Sequence, residues 1–220
     1  MSDIRVVGAV TPTRKTADDG FISPRALRDG TLVTTPLESA LSFEGRMFTA
    51  QNGDETTPLT FLALAANRPD AWLRAQGSTA IILPTITITL EAAAGTVTEI
   101  DIRIADNDIG NGTSTAATVG PFPTNTGGAL SATALCRHLA TADTTAGTNE
   151  RSVWRLTIPF AQATTEGNGQ PTWDITPAMM GYPVLKGGAG SIMVYISATT
   201  TQATGFVTWK WGEVPNNFIY

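Results

Sequence analysis

The chain has 220 residues, a formal net charge of −5, 42% hydrophobic residues and only 15% charged ones. That is long enough for one large all-β domain with a real core. It is too poor in charge for a protein of exposed helices, since lysine occurs only at Lys15, Lys186 and Lys210 while threonine, β-branched and stiff at χ1, fills 36 positions. A lone cysteine, Cys136, excludes an intrachain disulfide, and the longest apolar runs, Phe61–Ala66 and Ala80–Leu83, fall far short of a membrane span.

Residues 1–45 read as an extended N-terminal arm. Pro12, Pro24 and Pro36 punctuate it and block long helices. Ile4–Val10 and Thr31–Thr35 are apolar pieces that could each add a strand to a neighbouring subunit. Met1–Val10 holds no apolar run of signal-peptide length, which with a free cysteine fits synthesis and folding in a reducing cytosol. Over residues 1–30, Arg5, Arg14, Lys15, Arg25 and Arg28 face Asp3, Asp18, Asp19 and Asp29, a balance of +1. Such an arm neutralises few phosphates, so direct nucleic-acid binding is not expected.

Residues 46–220 read as a single β-sandwich. Arg46–Ala50 and Thr57–Leu64 flank Asn52-Gly53, a hairpin signal, because both turn positions tolerate φ > 0. Asn67–Asp70, with Pro69, breaks the run. In Ala80–Leu90, Ile86, Ile88 and Leu90 alternate with Thr85, Thr87 and Thr89; in Thr96–Ile104, Ile100, Ile102 and Ile104 alternate with Glu99, Asp101 and Arg103. Period 2 is the signature of a half-covered strand. Ala105–Asn111 is a polar turn, and Thr115–Phe122 is a further strand. Leu130–Leu139 is the best helical segment, with Leu130, Ala134, Leu135 and Leu139 on one stripe. Ser152–Phe160, Thr172–Thr176, Ser191–Ala198 and Phe206–Val214 complete about eight strands. The βα alternation of a parallel sheet is missing, so an antiparallel sandwich of jelly-roll type is expected, with at most one short helix.

Catalytic equipment is sparse. His138 is the only histidine, and on a helix Cys136 would lie about 200° from it, which prevents a local Cys–His pair. Glu99, Asp101, Glu150, Glu166 and Asp174 could supply carboxylate pairs, but their spacing matches solvent-facing strand residues. No catalytic residue and no cofactor is assigned. Asp106-Asn107-Asp108-Ile109-Gly110-Asn111-Gly112 partly matches a calcium loop, with Asp106, Asp108 and Asn111 as the candidate ligands. Its glycine stands at the fifth position and the twelfth is Ala117, so an Asx turn explains the same letters. Asn111-Gly112-Thr113 is formally a glycosylation sequon. Gly187-Gly188-Ala189-Gly190 leads into a strand and lacks the lysine of a phosphate loop. Trp209 and Trp211 share one face of the last strand, as core residues or as a sugar-stacking strip.

The Pro-punctuated arm, the Thr-rich strand Thr85-Ile86-Thr87-Ile88-Thr89-Leu90 and the final Gly205-Phe206-Val207-Thr208-Trp209-Lys210-Trp211 give most of the chain a texture that resembles single jelly-roll structural proteins of viruses and bacteriophages. The resemblance implies a virion protein, a capsid or capsid-decoration subunit made in the host cytoplasm. Its partners would be copies of itself, in a trimer or higher ring, and other shell subunits, with no membrane. The missing basic arm departs from genome-packaging shells. The alternative is a glycan- or receptor-binding module of a tail fibre or surface appendage.

Overall fold

The structure is a computed structural model that describes residues 36–61, 68–92, 97–107, 109, 114–125, 130–138, 147–158, 172–198 and 202–218. The chain falls into two units, Met1–Ala40 and Leu41–Tyr220. Of the arm expected over residues 1–45, the strand pieces Ile4–Val10 and Thr31–Thr35 lie outside the described residues. Its last positions are not extended: helix α1 spans Leu37–Phe43. Gly45, at φ 70°, ends it, with Arg46 N–H donating to Leu41 C=O and Gly45 N–H to Ser42 C=O. Those two bonds satisfy carbonyls that the helix end would leave orphaned.

Twelve strands follow among the described residues: β1 (Met47–Asn52), β2 (Leu59–Thr60), β3 (Ala71–Arg74), β4 (Thr79–Ala92), β5 (Thr98–Ala105), β6 (Thr115–Ala116), β7 (Val119–Pro123), β8 (Leu135–His138), β9 (Arg151–Ile158), β10 (Thr172–Ile175), β11 (Ser191–Ala198) and β12 (Thr204–Pro215). Four antiparallel pairs nest inside one another in sequence: β1 with β12, β3 with β11, β4 with β10, and β5 with β9. That is the wiring of one long hairpin rolled up on itself. It yields two sheets, β10-β4-β12-β1 and β3-β11-β5-β9, the eight strands of a jelly roll. An insertion between β5 and β9 extends both: β7 adds to β1, and β8, followed by β6, adds to β3.

The alternation seen in the sequence fills the space between the sheets. Ile86 and Ile88 on β4, Val207, Trp209 and Trp211 on β12, Ile100 and Ile102 on β5, and Ile192, Val194 and Ile196 on β11 form one core cluster, each at most 2% exposed. Trp209 and Trp211 are therefore core residues, and the Trp211 ring packs 6.0 Å from that of Phe48.

Three local expectations are corrected. Thr115–Phe122 is not one strand: β6 pairs with β8 in one sheet and β7 with β1 in the other. Asn52-Gly53 does not close a hairpin: β1 and β2 do not pair with each other but lie end to end along β12, with Asn52 opposite Val207 and Thr60 opposite Thr204. The intervening loop merely leaves and rejoins the same line. Leu130–Leu139 is not a helix either; residues 135–138 form β8, and position 139 lies outside the described residues. Cys136 and His138 are buried and Leu135 and Arg137 half-buried, so period 2 overrides the helical stripe, and Leu130, meant to anchor that stripe, is 45% exposed.

Candidate functional site

The strand assignment at β8 changes the geometry of the two side chains best suited to chemistry. Two residues apart on a strand, Cys136 and His138 point to the same face, into the core. Both meet Asn52, fully buried at the end of β1. Asn52 Oδ1 accepts hydrogen bonds from the Trp209 indole Nε1 at 2.7 Å and from Cys136 Sγ at 3.1 Å, and Asn52 Nδ2 lies 3.0 Å from His138 Nδ1. Burial pushes the Cys136 thiol far up and the His138 imidazole down. Neither is placed as a nucleophile, because a reactive thiol needs an exposed, electropositive setting. A second buried acceptor, Glu213 on β12, takes the N–H groups of Thr133 and Ala134, the Thr133 hydroxyl and the Trp211 indole N–H. It pins residues 133–134, at the entry to β8, onto the other sheet.

Of the carboxylates named as acid/base candidates, Asp101 and Glu150 are held in ion pairs. Asp101, 3% exposed, accepts from Ser152 Oγ at 2.6 Å, Arg103 Nε at 2.6 Å and Arg155 Nη2 at 3.2 Å. Burial raises its pKa, but those bonds and the two guanidinium charges outweigh it and hold the carboxyl below the usual range. Arg103 also binds Glu150 at 2.7 Å and stacks 4.6 Å over the Tyr195 ring. Asp174 accepts from the Thr87 hydroxyl, Glu99 is half-buried on β5, and Glu166 lies outside the described residues. Of the calcium candidates, Asp108 and Asn111 also lie outside them. Asp106 is exposed and already bonded by Arg151 and Asn149, both of which lower its pKa. No group of three or more metal-binding side chains occurs among the described residues.

Among the described residues, several large apolar side chains are exposed. The loop from Thr176 to Lys186 carries no charge between its ends and shows Met179 at 49%, Tyr182 at 64% and Val184 at 45% exposure. It is tightly built: residues 177–180 form a 3₁₀ turn, Gly181 and Tyr182 both take positive φ, and Tyr182 N–H donates to Pro177 C=O at 2.7 Å. Phe122 and Val119 are exposed on the edge strand β7, where Pro121 and Pro123 withhold N–H groups from any added strand. A cleft of about 710 Å³, lined mainly by small residues including Gly77, Ser78, Ala117, Pro121 and Ala132, opens beside β8.

No family model matches the chain, and no curated protein does. Among solved structures it is similar to the infectious bursal disease virus VP2 subviral particle, at 11% identity and a TM-score of 0.19, over 78% of this chain and 42% of that one. The chain thus spans less than half the length of that protein, and a likeness this faint carries no argument.

Sequence reasoning missed Asn52, Glu213 and the Thr176–Lys186 loop. Asn52 reads as a turn residue in the sequence, because a polar residue that ends a strand looks the same whether it points to water or to the core. The loop did leave a signal: Ala178-Met179-Met180-Gly181-Tyr182-Pro183-Val184 is apolar without strand alternation.

Proposed function

We propose that the chain is a virion structural protein, a capsid or capsid-decoration subunit that acts by self-association. The observation that carries this reading is the tightly hydrogen-bonded stretch from Thr176 to Leu185, which carries no charged residue and exposes three large apolar side chains, Met179, Tyr182 and Val184. Isolated exposed apolar residues are ordinary, but a pre-ordered cluster of them marks a contact surface. The jelly roll is a shell-forming architecture that also serves lectins, so the fold alone does not decide. Against the glycan-binding alternative, the aromatic pair Trp209 and Trp211 is sealed in the core and cannot stack sugars. Cys136 and His138 are engaged in the core and Asp101 and Glu150 in ion pairs, which supports a structural role over an enzymatic one.

Size-exclusion chromatography with light scattering, followed by electron microscopy, tests the proposal. Rings, shells or a defined oligomer at micromolar concentration are expected. A strict monomer, or capture on a glycan array, would favour the alternative.

A further inference from the structure

The cluster around Asn52 can exist in only one protonation state. The Trp209 indole N–H is donor-only and fully buried, and it points at Asn52 Oδ1 together with the Cys136 thiol. These two donors fix the orientation of the amide. Nδ2, a donor, must then face His138 Nδ1 across 3.0 Å, so Nδ1 is the acceptor and the ring is neutral. Protonation would set one donor against another. Flipping Asn52 does not relieve this, because it would strand the Trp209 N–H in the core.

Among the described residues, no charge acts on the ring. β1 and β6 carry no titratable side chain. On the other packed elements, Asp70 accepts from Ile196 N–H, and Glu213 is bonded to residues 133, 134 and Trp211. Arg137 lies on the opposite face of β8 and donates to Ser114 C=O, and Arg74 is opposite Leu135. Lys210 projects from the outer face of β12. Burial alone lowers the affinity of the ring for a proton. The strand that carries the histidine lies outside the four nested pairs of the roll: β8 pairs with β3 and β6.

We propose that His138 and Asn52 form an acid-sensitive latch, in which protonation of the imidazole at Nδ1 expels it from beneath β1 and releases the β6–β8 insertion while the eight-stranded roll stays closed. The latch rests on the fold and not on the self-association reading, and its test reads amides and one imidazole in whatever oligomer the chain forms. Stability that requires neutral histidine is complete above the unfolded value of about 6.5 and is lost as pH falls below it, down to the folded value. Across that window the open population should rise by up to about tenfold per pH unit.

Because the chain has one histidine, its imidazole proton resonance is unique. In the intact protein that resonance should titrate below about 6.5. Over the same range, exchange of the β8 amides and of Ala117, whose N–H donates to Cys136 C=O, should accelerate after correction for intrinsic rates, while β4 and β12 stay protected. His138→Gln, whose amide oxygen can accept from Asn52 but cannot be protonated, should abolish that acceleration. An ordinary titration at or above 6.5, an unchanged acid response in His138→Gln, or loss of protection in β4 and β12 together with β8 would each overturn the latch. A monomer in solution would refute self-association and leave the latch standing.

Discussion

Glu213 is the clearest place to test how the two sheets are fastened. Its carboxylate receives the Ala134 N–H and the Trp211 indole N–H, both at 3.0 Å, and both donors belong to buried residues. Thr133 adds its N–H at 2.9 Å and its hydroxyl at 2.7 Å, but Thr133 is exposed and can turn to water. Glu213→Ala therefore strands two buried donors, each costing about 1–3 kcal/mol, for an expected loss of about 4 kcal/mol. That is a large fraction of the roughly 5–15 kcal/mol that holds a domain together. Glu213→Gln keeps one oxygen for Ala134 and Trp211 and loses the charge and the second acceptor, so about 1–2 kcal/mol is expected. Urea unfolding followed by tryptophan fluorescence would report both as shifts in midpoint at constant slope. If Glu213→Ala lies within about 1 kcal/mol of wild type, the carboxylate is not the fastening it is taken to be.

Other expectations follow from single observations. Asp101→Asn should destabilise by about 2 kcal/mol near neutral pH, since it leaves Arg103 and Arg155 without their shared carboxylate. Because the folded carboxyl titrates below its unfolded value of about 3.9, that stabilisation is present above about pH 4 and lost as pH falls through the folded value; parallel acid-unfolding curves of wild type and variant would contradict this. Gly205→Ala should cost at least about 2 kcal/mol by thermal unfolding, because a Cβ there collides with the Thr89 carbonyl where β12 and β4 shift register. The buried Cys136 thiol should resist a thiol reagent until the chain is unfolded; full labelling of the native protein at pH 7 would refute its placement. Tyr182→Asp combined with Met179→Asp should leave the melting temperature nearly unchanged and weaken any oligomer; altered folding with intact assembly would argue against the loop as a contact.

The alternating isoleucines of β4 and β5 fall on the inward face as period 2 requires, and the expected strand Ser191–Ala198 has the bounds of β11 although Ser191 to Ile196 are buried on both faces. β3 leaves no signal because it is only four residues long, Ala71 to Arg74, and all four are buried, so it offers neither length nor alternation. The segment ending in β8 misled for the opposite reason: its apolar residues satisfy a helical stripe and a strand equally well over so short a span. Nor could local letters reveal that β1 and β2 share one line along β12, since β12 is formed some 150 residues later. The same limit hid the Asn52 cluster, whose partners are separated from it by 84, 86 and 157 positions.

We propose that this jelly roll acts by contacting copies of itself. Light scattering of the purified chain, across concentrations from about micromolar to tens of micromolar, measures this as a mass. A defined multiple of the 23.1 kDa subunit is expected, and it should fall apart when Met179 and Tyr182 are both made acidic. A single 23.1 kDa species at every concentration, indifferent to those substitutions, would contradict it.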